Sequence, residues 1–299
     1  MIHDLQYSGP DPLHSSIREG ATCRDIARCA LLAGLALAAA LVPGASAGNA
    51  IAREHLAADL FLSPAVVKDA VAKGTILVDV RAPQDFEAVR IPGSLNIPLF
   101  AVKHKRFLRS REFVLLNEGY ACRQLAQTAE ALNKSGFRAR ILHGGLNAWR
   151  NAGGALTGLP GAQTQLNLVP PIAAQVELQY PHWYVVDVSA TQVANAPSFP
   201  GNVVRVPFPA DTAETAAFLA AWEAALGEAG LSPTAQVLVV DRDETVYSQV
   251  AALIPAKWRG RTFYLKGGTD GYSRFRRMHE AMLKPRPAGK RVDGCTSCP

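Results

Sequence analysis

Two stretches of the chain share one pattern of apolar and polar positions. Thr75–Ala82 (TILVDVRA) and Trp183–Ala190 (WYVVDVSA) are β-branched apolar runs that end in Asp-Val. That is the pattern of a strand buried on both faces of a parallel sheet. Ile91-Pro92-Gly93 and Phe199-Pro200-Gly201 stand 108 positions apart, the same offset as Asp79 and Asp187. Phe113–Asn117 (FVLLN) and Val237–Asp241 (VLVVD) predict a second pair of strands, and Ile141–Gly145 (ILHGG) and Tyr264–Gly268 (YLKGG) a third. Between them, Gln124–Lys134 sets Leu125, Ala129 and Leu132 on one helical face, and Ala213–Ala229 (AETAAFLAAWEAALGEA) predicts a second, more strongly amphipathic helix. Strands alternating with helices predict an α/β fold of two three-layer domains, each a mostly parallel sheet flanked by helices. The boundaries predicted are 52–158 for the first domain and 171–283 for a degenerate second copy. Residues 159–170, in a stretch rich in Pro, Gly and Gln, form the linker, and 284–299 a flexible tail.

Composition narrows the class. The 299 residues are 48% hydrophobic and 19% charged, enough apolar surface for one or two packed domains and too much for a disordered chain. The net charge of +6 is a weak pointer to acidic partners. No Lys/Arg run of the nucleic-acid kind stands out, so no nucleic-acid partner is expected. Five Cys are too few for a small disulfide scaffold.

The first residues read as an address. Cys29–Val42 (CALLAGLALAAALV) is uncharged, Arg24 and Arg28 precede it, and Ala45-Ser46-Ala47 follows. This is the layout of a secretory signal, 1–47, cut after Ala47. The apolar stretch is short for a membrane span, so a membrane contact is expected only if the leader is retained. Export places the protein in an oxidising compartment such as a periplasm. Cleavage removes Cys23 and Cys29 and leaves Cys122, Cys295 and Cys298. Cys295-Thr296-Ser297-Cys298 is a CxxC redox pair by spacing. With no second Cys pair after cleavage it supplies only two of the four ligands that zinc needs. No metal and no cofactor is expected.

The motifs of the first domain run in a telling order. They are Val78-Asp79-Val80-Arg81, Phe86, Ile91-Pro92-Gly93-Ser94-Leu95-Asn96-Ile97-Pro98, Gly136-Phe137, and Leu142-His143-Gly144-Gly145-Leu146-Asn147-Ala148-Trp149. Together they resemble the rhodanese family, and the second copy keeps DV, FPG, KGG and Tyr272 in place of Trp149. The resemblance implies a sulfurtransferase that carries sulfane sulfur as a persulfide. In that family a Cys at the end of the central strand opens a short loop, and the loop's backbone N–H groups and the following helix N-terminus stabilise the thiolate. In the residues' own terms, Asp79 ends a buried strand at the sheet's carboxyl edge, where it fixes the loop. Trp149 is a packing anchor, and His143 is structural.

The chain departs from that pattern at the decisive position. The strand runs into Asn117, and the loop reads Asn117-Glu118-Gly119-Tyr120-Ala121-Cys122-Arg123. In the second copy the equivalent is Asp241, followed by Asp243 and Glu244, which repel an anionic substrate. Cys122 remains as a displaced nucleophile at the start of the helix, with Arg123 adjacent and Arg81 and Arg90 as supporting cations. The plain alternative is a small buried Cys in the first helical turn. Three functions stay open. One is an exported sulfurtransferase working on Cys122, with a small sulfur-containing anion or thiol carrier as substrate and a thiol-reducing protein as partner. The second is a silent rhodanese-like binding module. The third is a thiol–disulfide protein working through Cys295 and Cys298.

Overall fold

The computed structural model describes residues 57–191, 197–227 and 231–284. The leader and the tail pair Cys295 and Cys298 lie outside the described residues. In chain order, the first half gives β1 (Phe61–Leu62), α1 (Pro64–Ala72), β2 (Ile76–Asp79), α2 (Pro83–Ala88), β3 (Val89–Arg90), β4 (Leu95–Asn96), β5 (Glu112–Leu116), α3 (Cys122–Lys134), β6 (Arg138–Leu142), α4 (Gly145–Asn151), β7 (Thr157–Gly158) and α5 (Pro160–Thr164). The second half gives β8 (Leu168–Val169), α6 (Pro171–Glu177), β9 (Trp183–Asp187), β10 (Asn202–Arg205), α7 (Thr215–Gly227), β11 (Gln236–Val240), α8 (Tyr247–Leu253), α9 (Ala256–Arg259), β12 (Thr262–Leu265) and α10 (Gly268–Leu283).

The two large sheets are both parallel and have one strand order. The first runs β1-β6-β5-β2-β4 and the second β8-β12-β11-β9-β10. Taken as the first to fifth strand of each set, both read one-five-four-two-three. Each central strand is buried on both faces, which is why its sequence lacks polar alternation. In β5, Phe113 and Leu115 pack with Leu125, Ala129 and Leu132 of α3. Val114 and Leu116 face the other way, toward Val67 of α1, Leu146, Trp149 and Leu166. In β11, Val237 and Val239 meet Phe218, Trp222 and Leu226 of α7, while Leu238 and Val240 meet Leu178 and Tyr272. The α/β layering predicted from the sequence is therefore present around both sheets.

Local sequence explains the helix starts. Ser63 accepts a hydrogen bond from the Val66 N–H and Pro64 stands at the first helical position of α1, a favoured pairing of cap and Pro. Pro83, Pro160 and Pro171 stand in the first turn of α2, α5 and α6. The HGG and KGG motifs are left-handed turns between strand and helix: Gly144 and Gly145 have φ of 67° and 52°, Gly267 and Gly268 of 80° and 58°. A Cβ on Gly145 would stand 2.3 Å from the Asn117 carbonyl oxygen, and one on Gly268 2.4 Å from that of Arg242. Glycine is required at both for backbone approach as well as for φ.

Two sequence expectations need correction. The stretch 159–170 is not simply a linker. It carries α5 and β8, and β8 pairs with β12 as the edge of the second sheet. Leu168-Val169-Pro170-Pro171 answers Phe61-Leu62-Ser63-Pro64, a strand of two residues running into a Pro-started helix. A two-residue strand is too short for periodicity to reveal. The second correction concerns α7, which is not strongly two-faced. It buries Phe218, Trp222 and Leu226 at fourfold spacing but exposes Ala216, Ala217, Ala220 and Ala221. Its outer face is small and apolar rather than charged.

Candidate functional site

The carboxyl edge of the first sheet is organised by Asp79. This carboxylate is fully buried at the end of β2 and accepts the Arg81 backbone N–H at 3.1 Å. It also grips the Arg81 guanidinium, Nε to Oδ1 at 3.0 Å and Nη2 to Oδ2 at 2.7 Å, and Nη2 donates further to the Val89 carbonyl at 2.5 Å. Such a fork pair fixes two planar groups against each other. Arg81 is thereby committed to the frame, with only its flank on the cleft described below. Asn96 on the edge strand donates to the carbonyls of Asp79 and Arg81.

The loop between β5 and α3 is closed by its own first residue. Asn117 accepts the Gly119 N–H at 2.8 Å through Oδ1 and donates from Nδ2 to the Ala121 carbonyl at 3.2 Å. The backbone is pinned from the other side by Leu146 N–H to the Asn117 carbonyl and Asn147 N–H to that of Glu118. The amide of Asn117 thus lies across the turn where the resemblance implies a sulfur. Two N–H groups of the expected anion cradle are taken: Gly119 by Asn117, and Cys122 by the Tyr120 carbonyl at 2.9 Å.

Cys122 follows the plainer of its two sequence alternatives, a small buried Cys in the first helical turn. It opens α3 as predicted and is 3% exposed, and its Sγ donates to the Gly119 carbonyl at 3.1 Å. Burial pushes its thiol well above the ordinary value, and the Glu177 charge pushes the same way. A helix N-terminus is worth about 0.3–1 kcal/mol to a nearby anion, whereas full burial of an ionisable group moves its pKa by several units. Desolvation outweighs the helix end, so burial disfavours the thiolate. The adjacent Arg123 does not help, because its guanidinium lies 3.9 Å over the Tyr180 ring. Arg90 does not join the loop either. It stacks on Phe86 and donates to the Glu87 carbonyl.

What the loop does face is a cleft of about 210 Å³. Arg81, Asp85, Glu118, Tyr120 and Lys266 bring charge and polarity to it, and Val89, Leu166 and Leu168 are among its apolar lining. The Arg81 charge is already matched by Asp79, so Lys266 is the cation that meets the two carboxyl groups of the cleft. The Glu118 carboxyl is held above its usual range, chiefly by burial, against its own backbone N–H and the Arg81 charge. The Tyr120 hydroxyl is likewise raised by burial. The expected anion site is electrostatically balanced rather than positive.

Residues from both halves of the chain meet at the seam between the two sheets, and of these the sequence reasoning passed over Gln236, Glu177 and His182. Tyr120 packs edge-on against Phe263. Gln236, fully buried, donates to the Gly119 carbonyl. Asn147, also fully buried, donates to the carbonyls of Gly260 and Thr262 at 3.3 and 3.2 Å. Glu177 accepts from the Trp183 indole at 3.4 Å, and burial raises its carboxyl to about 7. His182 is buried beside Tyr180 and Trp183 with no partner for Nε2, and burial lowers it to about 4. His143 lines a separate cleft of about 320 Å³ with Arg261 and Lys257, and burial lowers it as well. The one available signal was a polar residue inside an apolar run, as with Gln236 at the head of β11.

The second sheet's edge has the same backbone frame with other side chains. Thr269 and Asp270 donate to the carbonyls of Asp241 and Arg242, as Leu146 and Asn147 do in the first. Asp241 is buried, and Thr245 stands 3.4 Å from its carboxylate and 2.8 Å from that of Asp243. Glu244 takes φ of 76° and accepts the Gly267 N–H. Among the described residues, no group of three or more His, Cys, Asp or Glu is placed to hold a metal ion. No described helix is long and apolar enough to cross a membrane.

A parallel sheet with a strand–loop–helix at its carboxyl edge and a GG turn behind the loop defines a class, and comparison names it. The family model for the rhodanese-like domain matches residues 63–152, so this part of the chain is a rhodanese-like domain. Among solved structures, the chain is similar to the BH2092 protein from Bacillus halodurans, at 27% identity over 32% of this chain and 75% of that one, with a TM-score of 0.30. It is similar to the Alr3790 protein from Anabaena sp. at 22% identity over 40% and 93%, TM-score 0.30. It is also similar to a rhodanese-like domain protein from Staphylococcus aureus at 20% over 30% and 89%, TM-score 0.27. No curated protein matches the chain in sequence.

Proposed function

We propose that this chain is a rhodanese-like binding module that has given up sulfur transfer, and that the second sheet is a degenerate copy of the first. The observation that carries the reading is the pair Asn117 and Cys122. An amide spans the loop where the nucleophile would stand, and the nearest thiol is buried and bonded to a carbonyl. A persulfide step needs a thiolate that can reach its donor, and Cys122 is closed off from solvent, with burial opposing its ionisation. The balanced cleft at Glu118, Tyr120, Arg81, Asp85 and Lys266 suits a small polar ligand bearing both charge signs better than thiosulfate. The carboxylates at Asp241, Asp243 and Glu244 oppose anion binding at the second edge by like-charge repulsion.

The test uses the full chain, reduced, with thiosulfate and then cyanide. Turnover should equal the background and be unchanged by Cys122→Ser. Mass spectrometry after thiosulfate should find no added sulfur on Cys122, and iodoacetamide should label that thiol only as fast as the fold opens. A persulfide on Cys122, or turnover abolished by Cys122→Ser, would overturn the reading in favour of an active sulfurtransferase.

A further inference from the structure

The connection from β4 to β5 turns a dense set of cations outward. The segment 99–111 reads LFAVKHKRFLRSR and holds no acidic residue. The sequence reading passes over this run because His104, Phe107, Leu108 and Ser110 break it up. It folds as two short 3-10 helices, Leu99–His104 and Arg106–Ser110. Val102 and Leu108 are fully buried and tether it to the core of the first sheet. With those two positions inward, Lys103, Lys105, Arg106, Arg109 and Arg111 all face solvent.

The neighbouring elements extend the same sign. Arg138 donates to the Ser110 carbonyl, and Lys134 ends α3 beside the segment's groove. Seven exposed Lys and Arg therefore lie in this segment and its immediate neighbours, in a chain whose net charge is +6. Glu112, the first acid after the segment, is already paired with Arg140 at 3.5 Å.

Two large aromatic side chains stand among these cations. Phe100 is 78% exposed and Phe107 is 49% exposed. Phe100 also walls a groove of about 380 Å³ with Leu99, Ala131 and Leu132, and Lys103 stands at its rim. A ring of cations around exposed apolar groups matches the boundary between anionic headgroups and acyl chains, where apolar side chains insert and Lys and Arg meet phosphates. A nucleic acid would use the cations but gives no aliphatic partner to the wall of Leu99, Ala131 and Leu132.

We infer that the face formed by residues 99–111 with Lys134 and Arg138 docks this protein on an anionic phospholipid surface. The cations supply attraction, roughly fivefold in affinity for each that reaches the surface, and Phe100 and Phe107 supply insertion. The active-edge cleft is not part of this face, so docking does not depend on what the cleft binds.

The experiment is co-sedimentation of the full chain with vesicles of phosphatidylcholine alone or mixed with phosphatidylglycerol, at low and high salt. Binding should require phosphatidylglycerol and fall with salt. The triple variant Lys103→Gln, Lys105→Gln, Arg106→Gln should lose roughly a hundredfold in affinity at low salt. Phe100→Ala with Phe107→Ala should weaken binding while leaving the salt dependence as it was. All five side chains are exposed, so an unchanged melting temperature shows that each variant is folded. Equal binding by the triple variant and the parent would overturn the proposal and place any attachment elsewhere, such as the apolar stretch Cys29–Val42. A DNA duplex bound more tightly than the vesicles, with loss in the triple variant but not in the Phe pair, would also overturn it.

Discussion

The two sheet edges share a backbone and differ in how each closes its loop. At the first edge a neutral amide, Asn117, spans the turn, and the ion pair behind it, Asp79 with Arg81, is almost fully buried. At the second edge the Asp241 carboxylate accepts the Thr245 hydroxyl, Asp243 the Thr245 N–H and Glu244 the Gly267 N–H, and the matching pair, Asp187 with Arg205, is partly exposed at 4.0 Å. The same frame hydrogen bonds persist in both: Arg81 N–H to Asp79 in one, Ser189 N–H to Asp187 in the other. A strand order and a GG turn thus survive with different groups in the loop, which is the sense in which fold does not imply function. Anchoring that is rigid and buried on one side is loose and solvated on the other. The largest consequences of substitution should therefore fall on the first edge.

The strongest test is Gly119→Ala. Gly119 has φ of 126°, and a Cβ there would stand 2.1 Å from the Gly144 carbonyl oxygen. Backbone strain and forced repacking each cost about 1–3 kcal/mol, so the loss should be about 2–6 kcal/mol in chemical denaturation. Gly267→Ala, at the second edge, meets nothing nearer than 3.1 Å and carries only the cost of its φ, about 1–2 kcal/mol. Equal losses would mean that the two edges are not packed differently.

Much of this frame was legible in the sequence, and its limits have physical causes. The buried strands announce themselves through runs such as ILVD and VLVV, because a strand covered on both faces has no polar side to hide. The GG turns, Asp79 and Trp149 could be placed for the same kind of reason. Two-residue strands such as β8 carry no period to detect. The choice between the two readings of Cys122 stayed open because its helix-end position was visible in the sequence while its surroundings were not. What surrounds it, Glu177 and Gln236, comes from the far half of the chain. The cationic face at 99–111 was hidden by the opposite circumstance, since only the inward turn of Val102 and Leu108 shows that all its cations point one way.

Next in size is the contrast between the two ion pairs. Asp79→Ala leaves the Arg81 guanidinium buried without its carboxylate, a loss of about 3–5 kcal/mol. Asp187→Ala removes a half-exposed pair and one backbone bond, about 1 kcal/mol in all. Melting of both variants checks the ratio, and a loss at Asp187 as large as that at Asp79 would contradict the difference in burial.

The seam between the sheets should show in the pH dependence of stability. Burial raises Glu177 from 4.5 to about 7. Its contribution is complete below about pH 4.5 and is lost as pH rises toward 7, because the unfolded chain releases the proton first. Burial lowers His182 from 6.5 to about 4. Its contribution is complete above 6.5 and is lost as pH falls toward 4, because the unfolded chain takes up the proton first. Glu118 moves in the direction of Glu177, and His143 in that of His182. Between about pH 4.5 and 6.5 the opposed trends offset, and the parent protein should be nearly flat. Glu177→Gln removes one side, so stability should then rise with pH by up to about 1.4 kcal/mol per unit. Denaturation midpoints taken across that window decide it, and a flat profile in the variant would count against the seam as described.

The smallest effect expected is at Glu244, the second edge's counterpart in kind to Gly119. Among the described residues other than glycine it alone takes a positive φ, 76°, which costs a side chain about 1–2 kcal/mol. Its carboxylate offsets that cost by accepting the Gly267 N–H of the GG turn, a bond to a charged group worth about 1.5–3 kcal/mol. Glu244→Gly removes both the strain and the bond, so stability should change by no more than about 2 kcal/mol, the largest difference between these two ranges. Glu244→Ala keeps the strain and loses the bond, and should be the less stable of the two by about 1 kcal/mol. If Gly and Ala gave equal losses, φ at this position would not be what sets the cost. The second loop would then be held by Asp241, Thr245 and Tyr247 alone, and the two edges would differ in side chains without differing in backbone demand.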